Sequence, residues 1–113
     1  MIQRTIPFQV ADIAATPEQV AAALNKACNS RLHHYHVTGV CQLGDRVYFV
    51  LNPVPAEALG ETYLLAPVPD VSPGGFTPEL FERWSNGFNA LGTIDLDGSF
   101  MAVYAIPESP SAA

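Results

Sequence analysis

The chain is 113 residues long, 49% apolar and 14% charged, with a formal net charge of −6; an ordinary soluble domain is about 25% charged. That length and apolar content predict one domain whose core needs neither disulfide nor metal. The five basic residues, Arg4, Lys26, Arg31, Arg46 and Arg83, are scattered, which disfavours nucleic acid and anionic membrane surfaces, since both are held by clustered positive charge. The N-terminus lacks the apolar core of a signal peptide and no run approaches the ~20 residues of a membrane span. A cytoplasmic location is therefore expected, with Cys28 and Cys41 reduced and buried as small hydrophobes.

In chain order, Ile2, Ile6, Phe8 and Val10 face one way and Gln3, Thr5 and Gln9 the other, the alternation of a half-buried strand. Pro7 restricts that strand to an edge or a bulge. Thr16-Pro17-Glu18-Gln19 reads as a helix start, with Thr16 as N-cap, Pro17 at the first helical position and Gln19 closing a capping box. Val20, Leu24, Ala27 and Cys28 share one helical face, and Asn29 is the expected left-handed terminator.

From Arg31 to Asn52, two β-rich runs flank Gly44-Asp45, a strong signal for a two-residue hairpin. Placing Leu43 opposite Arg46 puts Val40 opposite Phe49, Cys41 opposite Tyr48, Gly39 opposite Val50 and Thr38 opposite Leu51. One face then holds Val40, Val47, Phe49 and Leu51, and the other Tyr35, Val37, Cys41, Tyr48 and Val50. With both faces apolar, helices are expected on one and a second copy of the chain on the other.

Residues 53–78 are rich in Pro and Gly and contain one further strand signal, Thr62 to Ala66. Thr77-Pro78-Glu79-Leu80 then repeats the earlier helix start. Leu80, Phe81, Trp84, Phe88 and Leu91 follow at helical spacing, weakened at Asn86-Gly87 and stopped at Gly92. A second hairpin, Thr93 to Ile106, turns at Asp97-Gly98. The order β-α-β-β thus occurs twice, which predicts an internal duplication. The fold class expected is α+β: a tandem β-α-β-β repeat forming a two-layer sandwich, a mainly antiparallel sheet with two helices on one face, related to the ferredoxin-like folds. The domain would span residues 1–107, in halves of about 1–53 and 61–107, with a loose tail at 108–113.

The first half, with Phe8-Gln9-Val10 before a helix carrying Leu24-Asn25, then Tyr35-His36-Val37 and Gly44-Asp45-Arg46-Val47-Tyr48-Phe49-Val50-Leu51, resembles the small bacterial β-α-β-β proteins classed as domains of unknown function. The resemblance covers roughly Pro7 to Pro53 and lacks the Gly-Trp step that often follows the helix in those proteins. It implies the fold and brings no activity or site residues.

His33, His34 and His36 are the conspicuous polar cluster. On a strand His34 and His36 share a face and His33 opposes them. Two imidazoles fall short of the three or four ligands of a zinc site, and with Cys28 the only added candidate no metal or cofactor is expected. Trp84 is spaced with Phe81 and Phe88 as a core residue, so that Trp84→Ala would cost about 3–5 kcal/mol. Asp95 and Asp97 flank Leu96 beside a turn, where paired carboxylates can serve acid-base or cation roles, but turn chemistry already explains Asp97. Ser72-Pro73-Gly74-Gly75 lacks the lysine and glycine spacing of a phosphate loop. The expected function is a non-enzymatic small-ligand-binding or regulatory module acting as a homodimer, holding a small apolar ligand under the Pro53–Pro78 segment. The alternative is a small cofactor-free oxygenase- or isomerase-like enzyme with a helix-sheet cavity. In either case His34, His36, Tyr48 and Trp84 are the candidate binding residues.

Overall fold

Both predicted hairpins form. In a computed structural model of the chain, which describes residues 2–29, 34–55 and 57–108, β2 (His34–Leu43) returns as β3 (Arg46–Val54), and β5 (Asn89–Asp95) as β6 (Phe100–Pro107). Gly44 has φ 63°, and Asp97 and Gly98 have φ 64° and 115°, the left-handed backbone that tight hairpin turns require. β1 (Arg4–Gln9) pairs with β3, and β4 (Glu61–Pro67) pairs with β6. The described residues therefore form two antiparallel three-stranded sheets, ordered β1-β3-β2 and β4-β6-β5. Pro7 lies on the edge strand β1, as its missing N–H demands. α1 (Val10–Ala15) and α2 (Pro17–Cys28) connect β1 to β2, and α3 (Pro73–Ser85) connects β4 to β5.

The expected single sheet is thus two. Where β2 and β5 run side by side, no backbone ladder joins them. The Gln42 side chain takes its place: Nε2 donates to the Asp95 carbonyl at 2.7 Å, and the Asp95 N–H donates to Oε1 at 2.9 Å. One side-chain amide here does what an opposing strand residue would do.

The two-faced hairpin is also corrected. A bulge between Val37 and Gly39 pairs Val37, instead of Thr38, with Leu51, while Val40–Phe49 and Cys41–Tyr48 pair as expected. One extra residue reverses the side-chain alternation. Tyr35 and Val37 therefore join Phe49 and Leu51 in the core, at 6% and 2% exposure. The other face retains Cys41, Tyr48 and Val50 among Thr5, Pro7 and Gln9, all half-buried or exposed. The argument for a second copy on this face goes with the bulge.

The main core lies between one face of each sheet and α2, whose Val20, Leu24 and Cys28 meet Phe49 and Leu51 of the first sheet and Tyr63, Leu65 and Val103 of the second. α2 packs chiefly on β4, a strand of the other half of the chain. α3 covers the opposite face of the second sheet, where Leu80 and Phe88 rest on Ala66, Ala102 and Tyr104. The helices accordingly do not share one face of one sheet.

Helix ends depart from expectation for local reasons. Thr16 does precede α2, but its hydroxyl donates to the Asp12 carbonyl of α1 and forms no capping box. Asn29 ends α2 at φ −121°, outside the left-handed region; its side chain instead donates to the Asn25 carbonyl. α3 begins at Pro73, after Ser72, whose N–H and hydroxyl are both held by Asp70, so Pro78 lies inside the helix. It stops at Ser85, and Gly87 at φ 92° turns the chain into β5. Phe88 and Leu91 follow the helix instead of continuing its stripe. Cys41 is exposed and Cys28 buried, both as free thiols. Among the described residues, no helix is long and apolar enough to cross a membrane. His33 lies outside the described residues, as does most of the predicted tail.

Candidate functional site

His34 and His36 lie on β2 out of phase with the buried Tyr35 and Val37. His36 is drawn into a network at the seam between the sheets. Its Nε2 lies 2.9 Å from the Leu59 carbonyl, which can only accept, so this nitrogen carries the hydrogen. Its Nδ1 lies 3.6 Å from Glu61 Oε1, an ion pair only when the ring is protonated. The same carboxylate oxygen accepts from the Tyr63 hydroxyl at 2.8 Å. That hydroxyl in turn accepts the Val37 N–H at 2.9 Å on the open edge of β2, and the Cys28 thiol is its neighbour in the core.

The chain His36–Glu61–Tyr63–Cys28 thus runs from a half-exposed ring to a fully buried sulfur. Its inner end is held protonated. Burial pushes the Cys28 thiol up to about 11, outweighing the lowering influence of the neighbouring Tyr63 hydroxyl. Burial likewise raises Tyr63 well above the usual phenol range, against the lowering effect of the Val37 N–H. A thiol in that state is not a nucleophile at neutral pH. The network closes the seam: Tyr63 satisfies a strand N–H, and the Asn25 side chain accepts the Tyr63 N–H at 2.7 Å. Nothing in the sequence linked Glu61 and Tyr63 to the histidines, because the contact crosses between the halves.

Tyr48 is half-buried on the outward face of the first sheet. Trp84 is the clearest departure from the sequence reading: it is 63% exposed and Phe81 66% exposed, with ring centroids 5.9 Å apart on the outside of α3. Starting the helix at Pro73 turns Phe76, Leu80 and Arg83 towards the sheet and places Gly74, Thr77, Pro78, Phe81, Trp84 and Ser85 on the outer side, all exposed and none charged. The four residues named from sequence are therefore not gathered into one site.

Four of the clefts that border the described residues bear on the site. The one between the hairpin turns is lined by Val10, Gln42, Gly44, Asp45, Asp95 and Asp97, but among the described residues no three ligating side chains converge as a metal site. A second, of about 360 Å³, is lined by Glu79, Glu82, Arg83, Asn86 and Phe88. A third, of about 180 Å³, lies between the β4–α3 connection and the second sheet, lined by Val68, Val71, Phe76, Thr93 and Phe100. The fourth lies at α1 and the start of α2. Beneath α3, Tyr104 is completely buried and its hydroxyl has no hydrogen-bond partner, a state that ordinarily costs about 1–3 kcal/mol. The chain matches no known protein-family profile, no curated protein and no solved structure.

Proposed function

We propose that this chain is a non-enzymatic binding module that works as a homodimer, its contact face being the outer side of α3. The observation that carries the proposal is the exposed Phe81–Trp84 pair on an uncharged stripe. Exposed aromatic residues are the usual anchors of protein contacts. A chain of net charge −6 repels its own copy over most of its surface, so an acid-free stripe is where two copies can approach, related by a twofold axis. The apolar ligand expected under the Pro53–Pro78 segment would have the cleft at Val68, Val71 and Phe76; its 180 Å³ suits a small group only, below the ~300–1,000 Å³ of most ligand sites. The internal duplication belongs to the same proposal. Each half runs strand, helix, hairpin, and in each sheet the last strand lies between the other two.

The enzyme alternative would have to centre on His36 and Glu61, the half-buried pair at the outer end of the seam. None of the four clefts described above is lined by either residue, so the binding reading is preferred.

Sedimentation over a wide concentration range tests the proposal. The wild-type chain is expected to dimerise, and Phe81→Ser/Trp84→Ser to remain a monomer with an unchanged circular dichroism spectrum. A wild-type chain that stays monomeric at high concentration, or a variant that dimerises equally well, refutes it.

A further inference from the structure

β2 is tied to the second sheet near both of its ends, and the two ties differ in kind. At the hairpin end the Gln42 amide offers one donor and one acceptor, and meets one of each on Asp95. At the other end the His36 ring lies between two groups that only accept: the Leu59 carbonyl, 2.9 Å from Nε2, and the Glu61 carboxylate, 3.6 Å from Nδ1. A neutral imidazole has one N–H and one lone pair, so neither tautomer serves both. With the hydrogen on Nε2, the bare Nδ1 faces a carboxylate oxygen; with it on Nδ1, the bare Nε2 faces the carbonyl. Only the imidazolium, a donor at each nitrogen, matches the pair.

The segment facing the ring is firmly seated. Gly60 is buried, and a Cβ there would lie 2.8 Å from Asn29 Oδ1 and 3.2 Å from the Glu108 carboxylate. The Glu108 N–H donates to the Gly60 carbonyl at 2.8 Å, and Asn29 Nδ2 to the Glu61 carbonyl at 3.3 Å. The Glu61 carboxylate is itself fixed by the Tyr63 hydroxyl. The surrounding elements bring few other charges. β4 supplies Glu61 and Tyr63, α2 supplies Cys28 behind Tyr63 with the uncharged Asn25 and Asn29, β3 the uncharged Asn52 opposite His36, and the chain after β6 Glu108. Glu57, ahead of Leu59, is exposed. On β2 itself the other imidazole is His34, whose Nδ1 is buried with no partner among the described residues. Among those residues, no lysine or arginine comes within 4.0 Å of a carboxylate at this seam.

We propose that His36 is a proton-operated latch, holding residues 59–61, and with them the start of β4, against β2 when charged and releasing one of the two contacts when neutral. The latch is closed at low pH and opens as pH rises through the range in which imidazoles give up their proton, about 5–8. It uses no residue on the outer side of α3 and is independent of the dimer.

Amide hydrogen exchange, corrected for the intrinsic pH dependence of the rate, tests the latch between about pH 5.5 and about pH 8. The Val37, Tyr63 and Glu108 N–H groups report on this end of the seam. Their protection is expected to fall about three- to fivefold across that window, the size of a partly exposed ion pair. The Asp95 N–H, held by Gln42, should keep its protection. Ring ¹⁵N shifts of His36 should show both nitrogens protonated at the lower pH and one at the higher. His36→Gln and Glu61→Gln should each remove the pH dependence, and His34→Gln should retain it. Unchanged protection at all three groups, an equal fall at Asp95, a pH dependence that survives His36→Gln, or its loss in His34→Gln overturns the proposal. The wild-type comparison decides even where a variant does not fold. Phe81→Ser/Trp84→Ser must keep the latch even if it abolishes dimerisation, so latch and dimer fail separately.

Discussion

α2 and α3 begin alike in sequence, each near a Thr-Pro-Glu, and end in opposite environments. α2 buries Val20, Leu24 and Cys28 at 0–3% exposure between two sheets, whereas α3 buries no residue fully and turns its largest side chain to water. The lesson is that a helix-start signal gives the direction of the chain and says little about which stripe will be covered. That is decided by where the first turn actually sets: Pro17 starts α2, but Asp70 and Ser72 start α3 at Pro73, five residues before the matching proline.

Substitutions on the two helices should separate most sharply. Leu24→Ala removes a fully buried side chain and is expected to cost about 2–5 kcal/mol in denaturant unfolding. Gln42→Ala removes both bonds that join β2 to Asp95; because they lie at the surface, where water replaces the lost partner, the cost should be about 0.5–1.5 kcal/mol. A cost close to zero would mean the sheets are held by packing alone.

Cys28 sharpens the contrast through pH. Its folded pKa, about 11, lies above the ordinary 9.0, so the folded state keeps a proton that the unfolded chain gives up. Stability from this group is fully present below about 9 and falls as pH rises towards about 11. Cys28→Ala should flatten that fall while lowering stability at neutral pH, and an unchanged slope would mean the sulfur is not buried as described. The smallest effect is expected on the outside of α3: Trp84→Ala should change monomer stability by no more than about 0.5 kcal/mol. A loss near the 3–5 kcal/mol of a core tryptophan would return Trp84 to the interior.

Much of the fold was legible. Gly44-Asp45 and Asp97-Gly98 marked both hairpins because few residues tolerate the backbone those turns impose, and Pro7 marked an edge because it has one hydrogen bond too few for a central strand. The Val37–Leu51 pairing was not legible, since a bulge at Thr38 leaves no mark in an alternation that looks apolar either way. The His36–Glu61–Tyr63–Cys28 network was half legible: the histidines stood out, while the carboxylate that meets His36 and the phenol that donates to that carboxylate come from the opposite half. Trp84 misled because Phe88 and Leu91 continue its spacing past the point where Gly87 ends the helix.

By itself the sequence determined what depends on neighbours along the chain: one α+β class, two hairpins, two helix regions, and a low, net negative charge. The tertiary structure alone decided what depends on distant partners. It split the strands into two sheets clamped by Gln42, sent α2 to the other half's strand, and left an aromatic stripe and an acid-lined cleft on α3. The physical reason is range: turn and capping preferences act within a few residues, while burial and hydrogen-bond satisfaction are settled only when the whole chain has closed on itself.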